Sequence, residues 1–98
     1  MGEQVITTDL YEGTYYLLNG CQLVCIEGVP VNGSITCKLT FQGEPLNRLQ
    51  LEYLSGKARV PLFAFRRTFG QVNALVRSAR KKAKGQLRQG GSALEGRP

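Results

Sequence analysis

The residues of this chain best suited to chemistry are cations. Arg77-Ser78-Ala79-Arg80-Lys81-Lys82-Ala83-Lys84 places five bases in eight positions, and Arg66-Arg67 lies upstream of it. From Lys57 to Arg88 there are ten bases and no acid. Phosphate is the matching counter-charge. Duplex nucleic acid carries one negative charge per ~1.7 Å of axis, and each Lys or Arg that neutralises a phosphate releases condensed counterions. A surface built only for solubility mixes both signs. The expected phosphate contacts are therefore Arg66, Arg67, Arg77, Arg80, Lys81, Lys82 and Lys84. Contacts of this kind position a nucleic acid without reading its sequence. The plainer alternatives are a solvated helix whose cations favour its C-terminal dipole, or a face that docks on an acidic protein.

Other chemistries find little to work with. The chain has no His, which removes the commonest general base near neutral pH and the commonest metal ligand. A Ser-His-Asp triad and a His-based pH switch are thus excluded within the chain. Cys21, Cys25 and Cys37 are one ligand short of a structural zinc site and read as small buried hydrophobes. Asp9, Glu12 and Glu27 are the carboxylates a metal-dependent nuclease would gather, but Asp9 and Glu12 are explained as a helix cap. The glycines fall at turns and near the C-terminus, so no phosphate-cradling loop is present. The expectation is a protein that is not an enzyme, with no cofactor and no small-molecule substrate. Tyr11, Tyr15 and Tyr16 offer rings on which unpaired bases stack, but they lie in the acidic half and read as core or packing residues, Tyr16 the least core-like.

A row of cations acts as a unit only if one element carries it. Pro61 suits a helix start, and beyond it Phe65, Phe69, Val72, Val76, Ala79 and Ala83 recur at helical spacing, with Leu75 beside them. At 100° per residue from Phe65, that stripe lies within about 40° of zero, with Leu75 near ~280°. Arg66, Arg77, Lys81 and Lys84 fall between about 100° and 160°, with Arg80 near ~60°, Arg67 near ~200° and Lys82 near ~260°. The spacing predicts a helix apolar on one side and basic over most of the rest. Gly70, on the basic side, costs about 1 kcal/mol against Ala.

The remaining elements must hold that helix. Val5-Ile6-Thr7 reads as a short strand. Asp9 reads as an N-cap, with Glu12 closing a capping box, for a helix over Leu10–Asn19 that buries Leu10, Leu17 and Leu18. Cys21–Ile26, apolar at nearly every position, reads as a central strand. Ser34–Phe41 alternates strictly, with Ile35, Cys37, Leu39 and Phe41 on one face. Asn32-Gly33 between them is a type I′ hairpin signal. Pro45 suits the first turn of a second helix whose stripe is Leu46, Leu49, Tyr53 and Leu54. The fold expected is α+β, a small antiparallel sheet of the hairpin plus the N-terminal strand packed against helices, in the order β-α-β-β-α-α. Residues 1–86 form a single domain with a basic C-terminal helix, and 87–98 a disordered tail.

Thr8-Asp9-Leu10-Tyr11, Tyr15-Tyr16-Leu17-Leu18 with Gly20, and Tyr53-x-x-Gly56-x-Ala58-x-Val60-Pro61 occur in an order that resembles a family of small bacterial and phage domains. That family is known only as a domain of unknown function. Its members open with an Asp-Leu-Tyr helix and carry the same Tyr-x-x-Gly-x-x-x-Val element. The likeness covers roughly residues 5–80 and departs at Gly13-Thr14, where members carry alanines, and in the long basic extension. It implies a fold and a compartment, and no activity.

Length and charge bound the rest. The 98 residues suit one domain, and 42% apolar with 20% charged is ordinary globular composition. Residues 1–56 hold six acids and two bases, whereas 57–98 hold eleven bases and one acid, Glu95. An odd cysteine count and a polar, acidic start lead to the expectation of reduced thiols in a cytoplasm, with no membrane partner. Taken together, these features predict a nucleic-acid-binding accessory protein of a bacterium, phage or other mobile element, with DNA or RNA as partner. The alternative is a protein-interaction adaptor, a small ribonucleoprotein subunit or an inhibitor docking on an acidic protein surface.

Overall fold

Asn32 and Gly33 take left-handed backbone, with φ of 51° and 81°, as a two-residue type I′ turn requires. They join β2 (Gln22–Val31) to β3 (Ser34–Gly43), with Val31 opposite Ser34. The computed structural model describes residues 3–94, with side chains through Gly85. The tail expected over 87–98 lies outside the residues described in full. Strand β1 (Glu3–Thr7) pairs antiparallel with the other edge of β3, so the sheet order is β1-β3-β2. With α1 (Leu10–Leu18), α2 (Leu46–Leu54) and α3 (Leu62–Leu94), the architecture is α+β in the order β-α-β-β-α-α.

The central strand is β3, not the apolar Cys21–Ile26 run, which lies in the edge strand β2. Strand β3 alternates cleanly, burying Ile35, Cys37, Leu39 and Phe41, and so accepts a partner on each side. Strand β2 carries Pro30, which donates no ladder bond, and a bulge between Leu23 and Cys25. Both features belong at an edge. The bulge also shifts Cys25 out of the core: Cys21 and Cys37 are buried, but Cys25 is exposed.

Helix α1 starts as expected, with the Asp9 carboxylate accepting from the N–H groups of Tyr11 and Glu12 at 2.9 and 3.2 Å. The box closes differently. Glu12 turns inward and accepts from the hydroxyls of Thr7 (2.8 Å) and Tyr16, while the Asp9 N–H donates to the Thr7 hydroxyl. The buried face of α1 is consequently Glu12, Gly13, Thr14, Tyr15 and Tyr16, and Leu10, Leu17 and Leu18 are only half-buried. Tyr16, expected to be the least core-like of the three tyrosines of α1, is fully buried edge-on to Phe41. A Cβ at position 13 would lie 2.8 Å from the Phe41 ring, so glycine there lets α1 settle on the sheet.

Helix α2 buries Leu46 and Leu49 but leaves Leu54 exposed, so its stripe is narrower than its leucines suggest. Pro45 stands at its N-cap rather than inside the first turn. Two phenol–carboxylate bonds of 2.7 Å tie α1 and α2 together: Tyr15 donates to Glu52, and Tyr53 donates to Asp9. Helix α3 buries Val72 and Val76 completely. Phe65 and Phe69 are half-buried and stack with Tyr11 of α1, at 6.1 and 5.0 Å between ring centres. Leu75, counted with the core stripe, is 48% exposed because its direction falls beyond the arc the sheet covers.

Candidate nucleic-acid interface

Helix α3 meets the rest of the molecule along a narrow line, through Phe65 and Phe69 on α1 and through Val72, Val76, Ala79 and Ala83 over the sheet. The Cys37 thiol donates toward the Val76 carbonyl at 3.7 Å, near the middle of that line. At its far end, a Cβ on Gly28 of β2 would lie 2.7 Å from Ala83 Cβ, which marks a close approach of α3 to the hairpin. A line of contact this thin leaves most of the helix circumference in solvent.

Arg66, Arg67, Arg77, Arg80, Lys81, Lys82 and Lys84 are all exposed. At ~1.5 Å rise per residue, the run from Arg66 to Lys84 extends over roughly 27 Å. Several pairs sit three or four residues apart, among them Arg77 with Lys81 and Arg80 with Lys84. Like charges at that spacing destabilise a helix by a few tenths of a kcal/mol each. Arg67 lies 5.5 Å from the centre of the exposed Phe63 ring, a cation–π contact that leaves its charge uncompensated.

Four of the six described acids are engaged elsewhere. Among the described residues the one ion pair is Arg48–Glu52 at 3.1 Å, on α2. Glu12 is held by Thr7 and Tyr16, Asp9 by the α1 N-terminus and Tyr53, and Glu3 accepts from the Asn47 N–H at 2.7 Å. The bond from Tyr15, together with Arg48, holds the Glu52 carboxyl below the usual range. Burial, then the acidic neighbour, raises the hydroxyls of Tyr15, Tyr16 and Tyr53. These phenols act as neutral donors that let carboxylates pack against α1 and α2 without help from the cations of α3. Glu27 lines a cleft with Lys82, Ala79 and Ala83 without forming an ion pair.

A second cleft, of about 340 Å³, opens between α3 and the hairpin tip and is lined by Gly33, Ser34, Ile35, Arg80 and Lys84. Nothing in the residue pattern pointed to Gly33 or Ser34, because their position beside Arg80 depends on how α3 crosses the sheet. Tyr11 is the other residue placed by packing: it lies in the acidic half of the sequence but stacks on the N-terminal part of the basic helix. Tyr15 and Tyr16 are buried and present no stacking face. Among the described residues no group of three or more His, Cys, Asp or Glu is arranged to hold a metal ion. No described helix is long and apolar enough to cross a membrane. Comparison with known protein families, curated proteins and solved structures finds no match to this chain.

Proposed function

We propose that this protein is a non-enzymatic nucleic-acid-binding accessory protein of a cytoplasm, gripping backbone phosphates through α3. One observation carries the reading: seven cations on one helix are all exposed, and among the described residues none is paired with an acid. A helix that accumulates like charge without offsetting acids gives up stability for a surface suited to a polyanion. Fluorescence anisotropy with a labelled 20-base-pair duplex and a matching single strand, across a salt series, tests it. If about four phosphates are engaged, log affinity falls with log salt at a slope of roughly −3 to −4. A slope near zero, or no binding at low salt, refutes the reading.

A protein partner is the second reading, and a specific observation favours it. Leu62 and Phe63, both 73% exposed, stand at the start of α3 beside Arg66 and Arg67. An apolar pair flanked by cations suits an acidic protein surface. Partners captured equally with and without nuclease treatment support this adaptor reading, whereas partners lost on nuclease treatment support the first.

A further inference from the structure

We infer that the cleft between the hairpin tip and α3 seats one phosphodiester group of the bound nucleic acid, held by Arg80 and Lys84 on one wall against the Gly33-Ser34 turn on the other. The inference rests on the proposed function and deepens it, because it turns a diffuse basic surface into one with a defined anchoring point.

Three observations converge on this cleft. Arg80 and Lys84 are one helical turn apart and both border the same cavity, so their charges act on a single point. The facing wall is the type I′ turn, where exposed Gly33 and Ser34 border the cleft; Ser34 precedes the buried Ile35, so its side chain lies on the sheet face away from α3. Among the described residues no carboxylate lines this cleft, whereas Glu27 lines the neighbouring one beside Lys82. An anion entering the first cleft therefore meets two cations beside an exposed turn, and one entering the second meets a like charge. The volume, about 340 Å³, is at the small end of ligand sites, suited to a phosphate with part of its sugar rather than to a base-reading pocket. Arg77 and Lys81 continue the basic surface beyond the cleft, which favours a group within a strand over an isolated phosphate.

The type I′ turn gives the wall its rigidity. Asn32 and Gly33 hold a conformation few sequences adopt, and the strands they join are in register up to Val31 and Ser34. The contact of Gly28 with Ala83 fixes the helix relative to that turn. Both walls are thus set before any ligand arrives, which reduces the ordering that binding requires.

The test uses the whole chain and the labelled duplex, with folding of each variant verified by circular dichroism. Arg80→Glu with Lys84→Glu is compared with Arg66→Glu and Arg67→Glu, which make the same change in net charge. Ser34→Asp puts an acid at the same turn but on the sheet face away from α3, and so controls for charge near the tip outside the cleft. The cleft pair is expected to weaken binding about tenfold more than the upstream pair, and Ser34→Asp to weaken it less than either pair. In the unmodified protein, the amide resonances of Gly33 and Ser34 are expected to shift on adding the duplex. Equal losses from the two charge pairs overturn the inference while the proposed function stands. The same holds if the Gly33 and Ser34 resonances stay in place as the duplex binds. If millimolar inorganic phosphate saturates the same resonances and the duplex does not, the site serves free phosphate and the strand assignment fails. If neither duplex nor single strand binds the unmodified protein, the functional reading itself falls.

Discussion

Replacing Gly28 by alanine tests the seat of α3 on the hairpin, on which the placement of Arg80, Lys82 and Lys84 depends. The added methyl would lie 2.7 Å from Ala83 Cβ and 3.1 Å from Ile35 Cγ2. Carbon atoms in good contact stand about 3.5–4.0 Å apart, so the shortfall against Ala83 is roughly 1 Å. Neither neighbour is the end of a long flexible chain, and Ala83 Cβ moves only with the helix. Overpacking of this kind costs about 1–3 kcal/mol, and the gain from a less flexible unfolded chain returns about 0.4–1 kcal/mol. A net loss of about 1–2 kcal/mol corresponds to a drop in Tm of about 4–16 °C for a domain of this size. Urea and thermal denaturation followed by far-ultraviolet circular dichroism measure it. Ala83→Gly supplies the decisive control. Alone it weakens the helix by about 1 kcal/mol, but it also removes the methyl that the new side chain meets. Combined, the two changes should be less harmful than their sum by about 1 kcal/mol or more. Full stability of Gly28→Ala, or strict additivity in the double variant, would show that α3 does not rest on β2 at this point.

The other expectations are shorter. Tyr16→Phe removes one of two donors to the buried Glu12 carboxylate and should destabilise the fold by about 1.5–3 kcal/mol; a change below about 0.5 kcal/mol would mean that the carboxylate is otherwise solvated. Tyr15, Tyr16 and Tyr53 have hydroxyls raised in the folded state, so their contribution is complete below about pH 10 and is lost as pH rises above it, where the unfolded chain ionises first. In a Tyr11→Phe background, tyrosinate absorbance should therefore appear together with loss of circular dichroism, and ionisation well before unfolding contradicts the burial of these phenols. Leu39→Ala, at a fully buried site, should cost about 2–5 kcal/mol, whereas Leu75→Ala should cost less than about 1 kcal/mol. Equal losses at the two sites would place Leu75 in the core.

Local pattern made much of the architecture legible. The Asn32-Gly33 turn, the alternation of β3, the cap at Asp9 and the period of α3 are each written in residues within a few positions of one another. Side-chain direction along one helix or strand follows from its geometry alone, so the cations of α3 were separable from Val72 and Val76 before any packing was known. Pairing and covering are different, because they join residues far apart in the chain. Which strand lies in the middle was settled when β1 took the free edge of β3, leaving the more continuously apolar β2 outside. Glu12 reads as half of a helix cap and Tyr16 as the least core-like of its neighbouring tyrosines, yet each is buried because the other satisfies it. Leu54 and Leu75 stayed in solvent because no element crosses the arcs they face. The cleft beside Ser34 exists only because Gly28 and Ala83 allow a helix and a hairpin to touch there, a meeting of residues 55 positions apart that no local periodicity encodes.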